Sequence, residues 1–379
     1  MGDTSRASRR HEESIGGTMT SYELISADSH VNPPASMWAE YLPTSLRDQA
    51  PRVESTDEGD FEVFEGRRTP LLGINNMAGR KPEQYSWSIR RLAEQRSGGF
   101  DPHARLEDMD ADQVRAEVLY GGGPLPSLNA ELRRASYAAY NDWLADFCAT
   151  DPKRLLGIAY LPCDAPEVAI AEAKRAAGRG LRGCLIPRFP GKGDWFEPAW
   201  DGLWRTILDQ GWSAAIHVGG RGRAAEMPSL DAVGFMSDLL MSKFAMAEAV
   251  SRFALSGVLE RYPDLHVVSV EGQLGWLSFT QHYLDHIWEK HRHWTKSELR
   301  KPPSFYFKRQ IHATFMEDPV GLREREHIGI DNIMWSSDYP HSETTWPNSR
   351  KLTDDWMRDF PDEERRKILY GNAARLYHL

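Results

Sequence analysis

Two short stretches at opposite ends of the 379-residue chain carry residue types suited to metal chemistry: Ala27-Asp28-Ser29-His30 and Trp335-Ser336-Ser337-Asp338-Tyr339-Pro340-His341. Each follows an apolar run and delivers a carboxylate and an imidazole at its end. His217 ends a third such run, Ser213-Ala214-Ala215-Ile216, and Glu271 ends a fourth, His266-Val267-Val268-Ser269-Val270. Imidazole and carboxylate together are the donors of Zn, Mn and Fe sites. Taken singly, a strand-end His is more often a hydrogen-bonded structural residue, and a strand-end Asp or Glu often caps the next helix. Four separate runs that all end this way favour a metal site. Asp28, His30, His217, Glu271 and Asp338 are the candidate ligands. Glu271 and His341 are the candidate acid–base residues.

Such a site needs an architecture that brings many strand ends to one place. Eight apolar runs bounded by turn residues are expected as strands: Glu23–Ala27, Glu117–Tyr120, Leu155–Leu161, Gly183–Ile186, Ser213–His217, His266–Glu271, Gln310–Phe315 and Asn332–Ser337. Helical patterns fill most gaps, including Pro166–Ala177, Ala199–Gln210, Lys243–Arg261 and Pro319–His327. The expectation is an α/β fold, a (β/α)8 TIM barrel whose active site lies at the C-terminal ends of the strands. Residues 31–115 are too long for one crossover helix and read as an insertion over the mouth, with a β-hairpin near Phe61–Phe64. A second insertion is expected at 284–308, with His291 and His293 at the entrance. A last helix, Asp362–Leu376, is expected on the outside of the barrel.

Arg188, Lys192, Arg221 and Arg223 follow the fourth and fifth strands. They read either as a solvated rim or as anchors for substrate phosphate or carboxylate, with Arg188, Arg221 and Arg223 the substrate-binding candidates. Trp38, Trp87, Phe100, Trp195 and Trp294 are candidates for an apolar pocket wall. His282 and His286 share a helix face but fall well past Glu271, which favours a surface or interhelix role. His312 is expected in the core.

Apolar content of 41% and 13 Trp indicate a folded globular chain. The net charge of −9 is mixed in sign along the sequence, with no basic stripe, so nucleic acid is not an expected partner. Cys148, Cys163 and Cys184 form no CxxC pair and fit a reducing cytoplasm. A run of 18 apolar residues is absent, so no membrane span is expected. Residues 1–20 are polar and read as a disordered tail, with Met19 an alternative start, followed by one domain over 21–379.

The residues named above, with Gly275-Trp276, Thr345-Trp346-Pro347 and the closing Gly371-Asn372-Ala373-Ala374-Arg375-Leu376-Tyr377, resemble the amidohydrolase-2 group over roughly residues 22–379. These are TIM-barrel metal enzymes similar to aminocarboxymuconate-semialdehyde decarboxylase. The resemblance implies one divalent metal held by Asp28, His30, His217 and Asp338, and a dimer. Two departures stand out: Asn32, where hydrolytic members often carry a second His, and Glu271, where a His is usual. Three carboxylates with two or three imidazoles suit two iron ions. The blocks around Glu271 and Asp338 look like the nonheme diiron monooxygenase branch. That likeness implies hydroxylation of a CoA-linked or similar small substrate, rim cations on the CoA phosphates, and an external electron donor. The alternative is a mononuclear Zn or Mn hydrolase or decarboxylase.

Overall fold

The computed structural model describes residues 22–219 and 231–379. The expectations for the tail 1–20 and for Arg221 and Arg223 lie outside these described residues.

Eight short strands form the barrel: β1 (Leu24–His30), β2 (Val114–Tyr120), β3 (Leu155–Gly157, continuing as Ala159–Tyr160), β4 (Cys184–Leu185), β5 (Ala214–His217), β6 (Val267–Val270), β7 (Ile311–Phe315) and β8 (Ile333–Trp335). Every pairing from β1 to β8 is parallel. Ile158 interrupts β3, so its first half pairs with β2 and its second half with β4. The ring closes just beyond β8. There the Ser337 N–H donates to Ser26 Oγ at 2.8 Å, and the His30 N–H donates to the Tyr339 carbonyl at 2.5 Å.

Alternation along the strands sorts the apolar residues into two cores. Ile25, Ala27, Ala116, Val118, Tyr120, Leu156, Ile158, Ala215, Val268, Val270 and Met334 fill the barrel interior. Their neighbours, such as Leu24, Leu119, Ala214, Val267 and Trp335, face the helical layer. Ala373, Ala374 and Tyr377 belong to the inner group. The helix Asn372–Tyr377 therefore plugs the end of the barrel opposite the site rather than lying outside it. Small alanines let its backbone approach, and the Tyr377 hydroxyl meets that of Tyr120 at 3.4 Å.

The long segment between β1 and β2 holds a four-stranded antiparallel sheet: Arg52–Ser55, Asp60–Phe64, Arg67–Leu72 and Ser88–Ile89. It also holds the crossover helix Pro102–Ala111, capped by the Asp101 side chain. The segment is stitched over the mouth. Ala78 N–H donates to the Pro340 carbonyl at 3.1 Å, and Asn32 Nδ2 donates to the Asn75 carbonyl at 2.9 Å. Asn32 is thus an anchor of the insertion.

Two helices differ from expectation. The helix after β5 runs Ala232–Leu255, well ahead of Lys243, and ends before Gly257, whose φ of +77° is left-handed. The helix after β6 runs Gly275–His291 without a break, so no separate insertion begins at 284. A helix of that length descends roughly 25 Å. His291 and His293 consequently lie far from the entrance, on the surface. Trp38 and Trp195 are core, and Trp294 is 73% exposed, so none of the three lines a pocket at the mouth. His282 and His286 are exposed, and His312 is buried, as the spacing indicates. No helix among the described residues is long and apolar enough to cross a membrane.

Candidate metal centre

The structure brings Asp28, His30, His217, Glu271, Asp338 and His341 together at the C-terminal ends of β1, β5, β6 and β8. Asp28, His30, His217 and Glu271 offer donor atoms within 4.8 Å of one another, and so do His30, Glu271, Asp338 and His341.

Backbone irregularities aim four of these side chains. Ile25 and Ala27 point into the barrel, so strict alternation would turn Asp28 toward the helices. A register shift between Ser26 and Ser29 reverses the side and delivers Asp28 and His30 to the mouth. Val270 likewise points inward, yet Glu271 adopts φ +58° and swings over the opening, its N–H held by Thr314 Oγ1 at 2.8 Å. Asp338 sits at φ +53°. Left-handed backbone in non-glycine residues costs about 1–2 kcal/mol each, and such cost clusters at functional sites. His217 needs no such device, being two residues beyond inward-facing Ala215.

His30 Nε2 lies 3.4 Å from Asp28 Oδ1, 3.1 Å from Asp338 Oδ1 and 3.9 Å from Glu271 Oε2. His217 Nε2 lies 3.5 Å from both Asp28 Oδ1 and Glu271 Oε2. His341 Nδ1 lies 3.2 Å from Asp338 Oδ1, and its ring stacks on His30 with centroids 3.7 Å apart. Both oxygens of Asp28, Oδ1 of Asp338, both nitrogens of His30 and Nε2 of His217 are buried without a hydrogen-bond partner among the described residues. Six orphaned polar atoms in one place would be costly in a protein interior. Donors about 2.1 Å from one shared ion stand about 3–3.6 Å from each other, the spacing of every pair above but His30 with Glu271. The His217 tautomer agrees: Nδ1 contacts the Val218 carbonyl at 2.6 Å and must donate, which leaves the Nε2 lone pair facing the carboxylates.

Charge leads to the same conclusion. Burial, and then the Asp338 charge, raise Glu271 to about 7. Burial lowers His217, but the Asp28 and Glu271 carboxylates outweigh it and lift the imidazole to about 9. Burial, and then His341, hold His30 down at about 4. Burial works against His341 too, but Asp338 prevails and raises it. Asp338 itself is lowered in spite of burial, chiefly by His341 and His30. Three buried carboxylates face one ammonium, Lys243, whose Nζ is 2.9 Å from Glu271 Oε1. Among the described residues these carboxylates lie closer to one another than buried like charges tolerate without a cation between them. These residues could hold a metal ion.

Lys243 and Arg105 were not legible as site residues. Arg105 is fully buried: Nη1 pairs with Glu117 Oε2 at 3.2 Å, Nε donates to the Gly98 carbonyl at 2.9 Å, and Nη2 donates to the His30 carbonyl. Ser29 Oγ donates to Glu117 Oε1 at 3.1 Å. This buried network lies beneath the ligands of β1. Its advance signal is Glu117 within the apolar run of β2; Arg105 stands in a charged helix and gives none.

Arg188 lies beside the centre. It lines a cavity of about 630 Å³ with Tyr137, Tyr160, Leu185, Phe189 and His217.

The fold is a (β/α)8 barrel whose mouth carries a His and carboxylate donor set able to hold a metal ion. The Amidohydrolase family model matches residues 27–379, and the chain belongs to that family. It is 26% identical to gamma-resorcylate decarboxylase from Rhizobium sp. (strain MTP-10005) over 301 residues, 73% of this chain and 86% of that protein. Among solved structures it is similar to 5-carboxyvanillate decarboxylase from Sphingomonas paucimobilis, at 20% identity and a TM-score of 0.70, covering 95% of this chain and 100% of that one. It is also similar to dihydroxybenzoic acid decarboxylase from Polaromonas sp. JS666, bound to manganese and the inhibitor 2-nitroresorcinol. That match has 19% identity and a TM-score of 0.65 over 94% of this chain and 97% of that one.

These findings overturn the diiron monooxygenase expectation, and with it the oxidoreductase class and the pair of iron ions. The relatives are decarboxylases, in line with the alternative reading. The physical reason lies in the donor set. Two metals stand about 3.5–4 Å apart; the two donor groups here are not separate sets but share His30 and Glu271 and crowd one volume.

Proposed function

We propose that the protein is a manganese-dependent, non-oxidative decarboxylase of a hydroxylated aromatic carboxylate. The observation that carries this reading is the convergence of buried, unpartnered Asp28, His30, His217 and Asp338 atoms on one point beside an aromatic-walled cavity. The decarboxylase relatives and the manganese in the Polaromonas structure support it.

Asp28, His30, His217 and Asp338 would hold the ion, with Glu271 facing it through Oε2. A bound divalent ion would offset the negative charge of a substrate carboxylate and an adjacent phenolic oxygen. Tyr160, Tyr137 and Phe189 would flank the ring, and Arg188 would face an anionic substituent at its edge. The insertion anchored by Asn32 limits access of water. His341 has Nδ1 directed at Asp338, and its Nε2 would carry the proton needed at the ring carbon that bears the carboxylate. Protonation there lets the carbon–carbon bond break, CO2 leaves, and the ring regains aromaticity. One proton enters and one CO2 departs. The reaction is redox-neutral, so it requires no electron donor and no CoA group.

The test is incubation of the manganese-loaded protein with 2,6-dihydroxybenzoate and 5-carboxyvanillate, following CO2 and the decarboxylated phenol. Equimolar release of the two is expected from at least one hydroxylated benzoate. Hydrolysis of ester or amide substrates, with no CO2 from a panel of such acids, would overturn the reading.

A further inference from the structure

The pairing of Glu271 with Lys243 divides the two oxygens of one carboxylate between two tasks. Oε2 faces His217 Nε2 at 3.5 Å and His30 Nε2 at 3.9 Å, on the metal side. Oε1 is turned away and accepts from Lys243 Nζ at 2.9 Å. The ammonium also donates to Glu343 Oε2 at 3.2 Å, so a residue of the helix Ala232–Leu255 spans the end of β6 and the loop after β8. The Lys243 side chain is 12% exposed, and Glu343 is half-exposed at the rim. The Glu271 backbone is fixed independently by Thr314. The carboxylate can therefore rotate about its side-chain bonds, and among the described residues the hydrogen bond that holds it comes from Lys243.

Asp28, His30, His217, Glu271 and Asp338 supply five donors when each binds through one atom. Manganese prefers six. If Glu271 turned both oxygens inward, the sixth place would be taken by the protein.

We infer that Lys243 is a positioning residue that keeps Glu271 on one oxygen and so holds one coordination place open for substrate. This rests on the reading that Glu271 faces a bound ion. A lysine so close to a dication is electrostatically unfavourable for metal binding. The geometry explains why one is placed there: it gives up metal affinity to keep a place free.

The proposal sets a sign that general damage would not give. Lys243→Met and, as a second variant, Lys243→Gln should bind manganese several-fold more tightly than wild type, measured by competition with a chelating dye. Water-proton relaxation per bound manganese should fall, because the inner-sphere water at the open place is displaced. Lys243→Arg should restore both values, and Glu343→Gln should leave the relaxation at the wild-type level. Weaker manganese binding in either Lys243 variant, or unchanged relaxation, overturns the inference. Glu271→Gln separates the two layers. If it leaves affinity unchanged, Glu271 does not face the ion and the underlying reading fails. If it weakens binding while Lys243→Met changes nothing, only the role of Lys243 fails.

Discussion

The backbone N–H of Asp338 donates to the carbonyl oxygen of Asp28 at 3.0 Å, so two proposed metal ligands from opposite ends of the chain are joined through their own main chains. The bond is made where β8 meets β1 and the barrel closes. The seam that closes the barrel thus also carries two of the proposed ligands. Anything that loosens this seam should loosen the metal, and the metal should in turn hold the seam.

Removal of the ion is accordingly expected to destabilise the fold. A ligand present at 100 times its Kd adds about 2.7 kcal/mol to the bound state. Thermal unfolding in manganese against unfolding in a chelator should show a clear rise in Tm with metal. Asp338→Asn and His217→Ala should abolish most of that rise. An equal Tm in both conditions for the wild type would mean that no ion binds at these residues.

His341 is assigned the proton and not the metal. His341→Gln should lower kcat for decarboxylation by about 10²–10⁴. Its manganese stoichiometry should stay at one per chain. Loss of metal along with activity would instead make His341 a ligand.

The Arg105–Glu117 pair has no solvent to fall back on. Arg105→Met should cost about 3–5 kcal/mol in urea unfolding, because it strands the Glu117 carboxylate in the interior. The double variant Arg105→Met with Glu117→Leu should recover part of that loss. If the single variant is neutral, the pair contributes no net stability and the support of His30 comes from elsewhere.

Two buried groups away from the metal give opposite pH slopes. Burial raises Asp112 to about 7, although Ser349 bonds it from both N–H and Oγ. The folded state therefore holds this proton more tightly than the unfolded chain, and the stability Asp112 contributes is lost as pH rises from about 4 to about 7. Burial, then His266 and Arg375, lower His312 to about 3. Its contribution is lost as pH falls from about 6.5 toward 3. In denaturant titrations across this range, Asp112→Asn should remove the first slope and His312→Gln the second. Unchanged profiles in both variants would refute the assignments.

Much of the architecture was readable because its signals are local. Apolar runs closed by Gly, Pro or a polar residue mark all eight strands, and the helix Pro166–Ala177 has the bounds its sequence implies. The likeness to amidohydrolases was also legible, in the block from Trp335 to His341. What misled the reading was counting donors. Three carboxylates and three imidazoles look sufficient for two metals when listed along a chain. In space they share one small volume, and one of the carboxylates, Glu271, is already bonded to Lys243.

The sequence by itself determined which residues could bind a cation, since strand period and turn chemistry put Asp28, His30, His217 and Asp338 at strand ends. Only the tertiary structure decided how they are used. The register shift in β1 and the left-handed backbone at Glu271 and Asp338 choose the side each donor faces. The rotation of the helix Ala232–Leu255 brings Lys243 to Glu271, and Arg105 reaches a carbonyl 75 residues away. The helix Asn372–Tyr377 enters the barrel because Ala373, Ala374 and Tyr377 fit its interior better than its surface. All of these follow from long-range packing, which sets distances and orientations that no local pattern encodes.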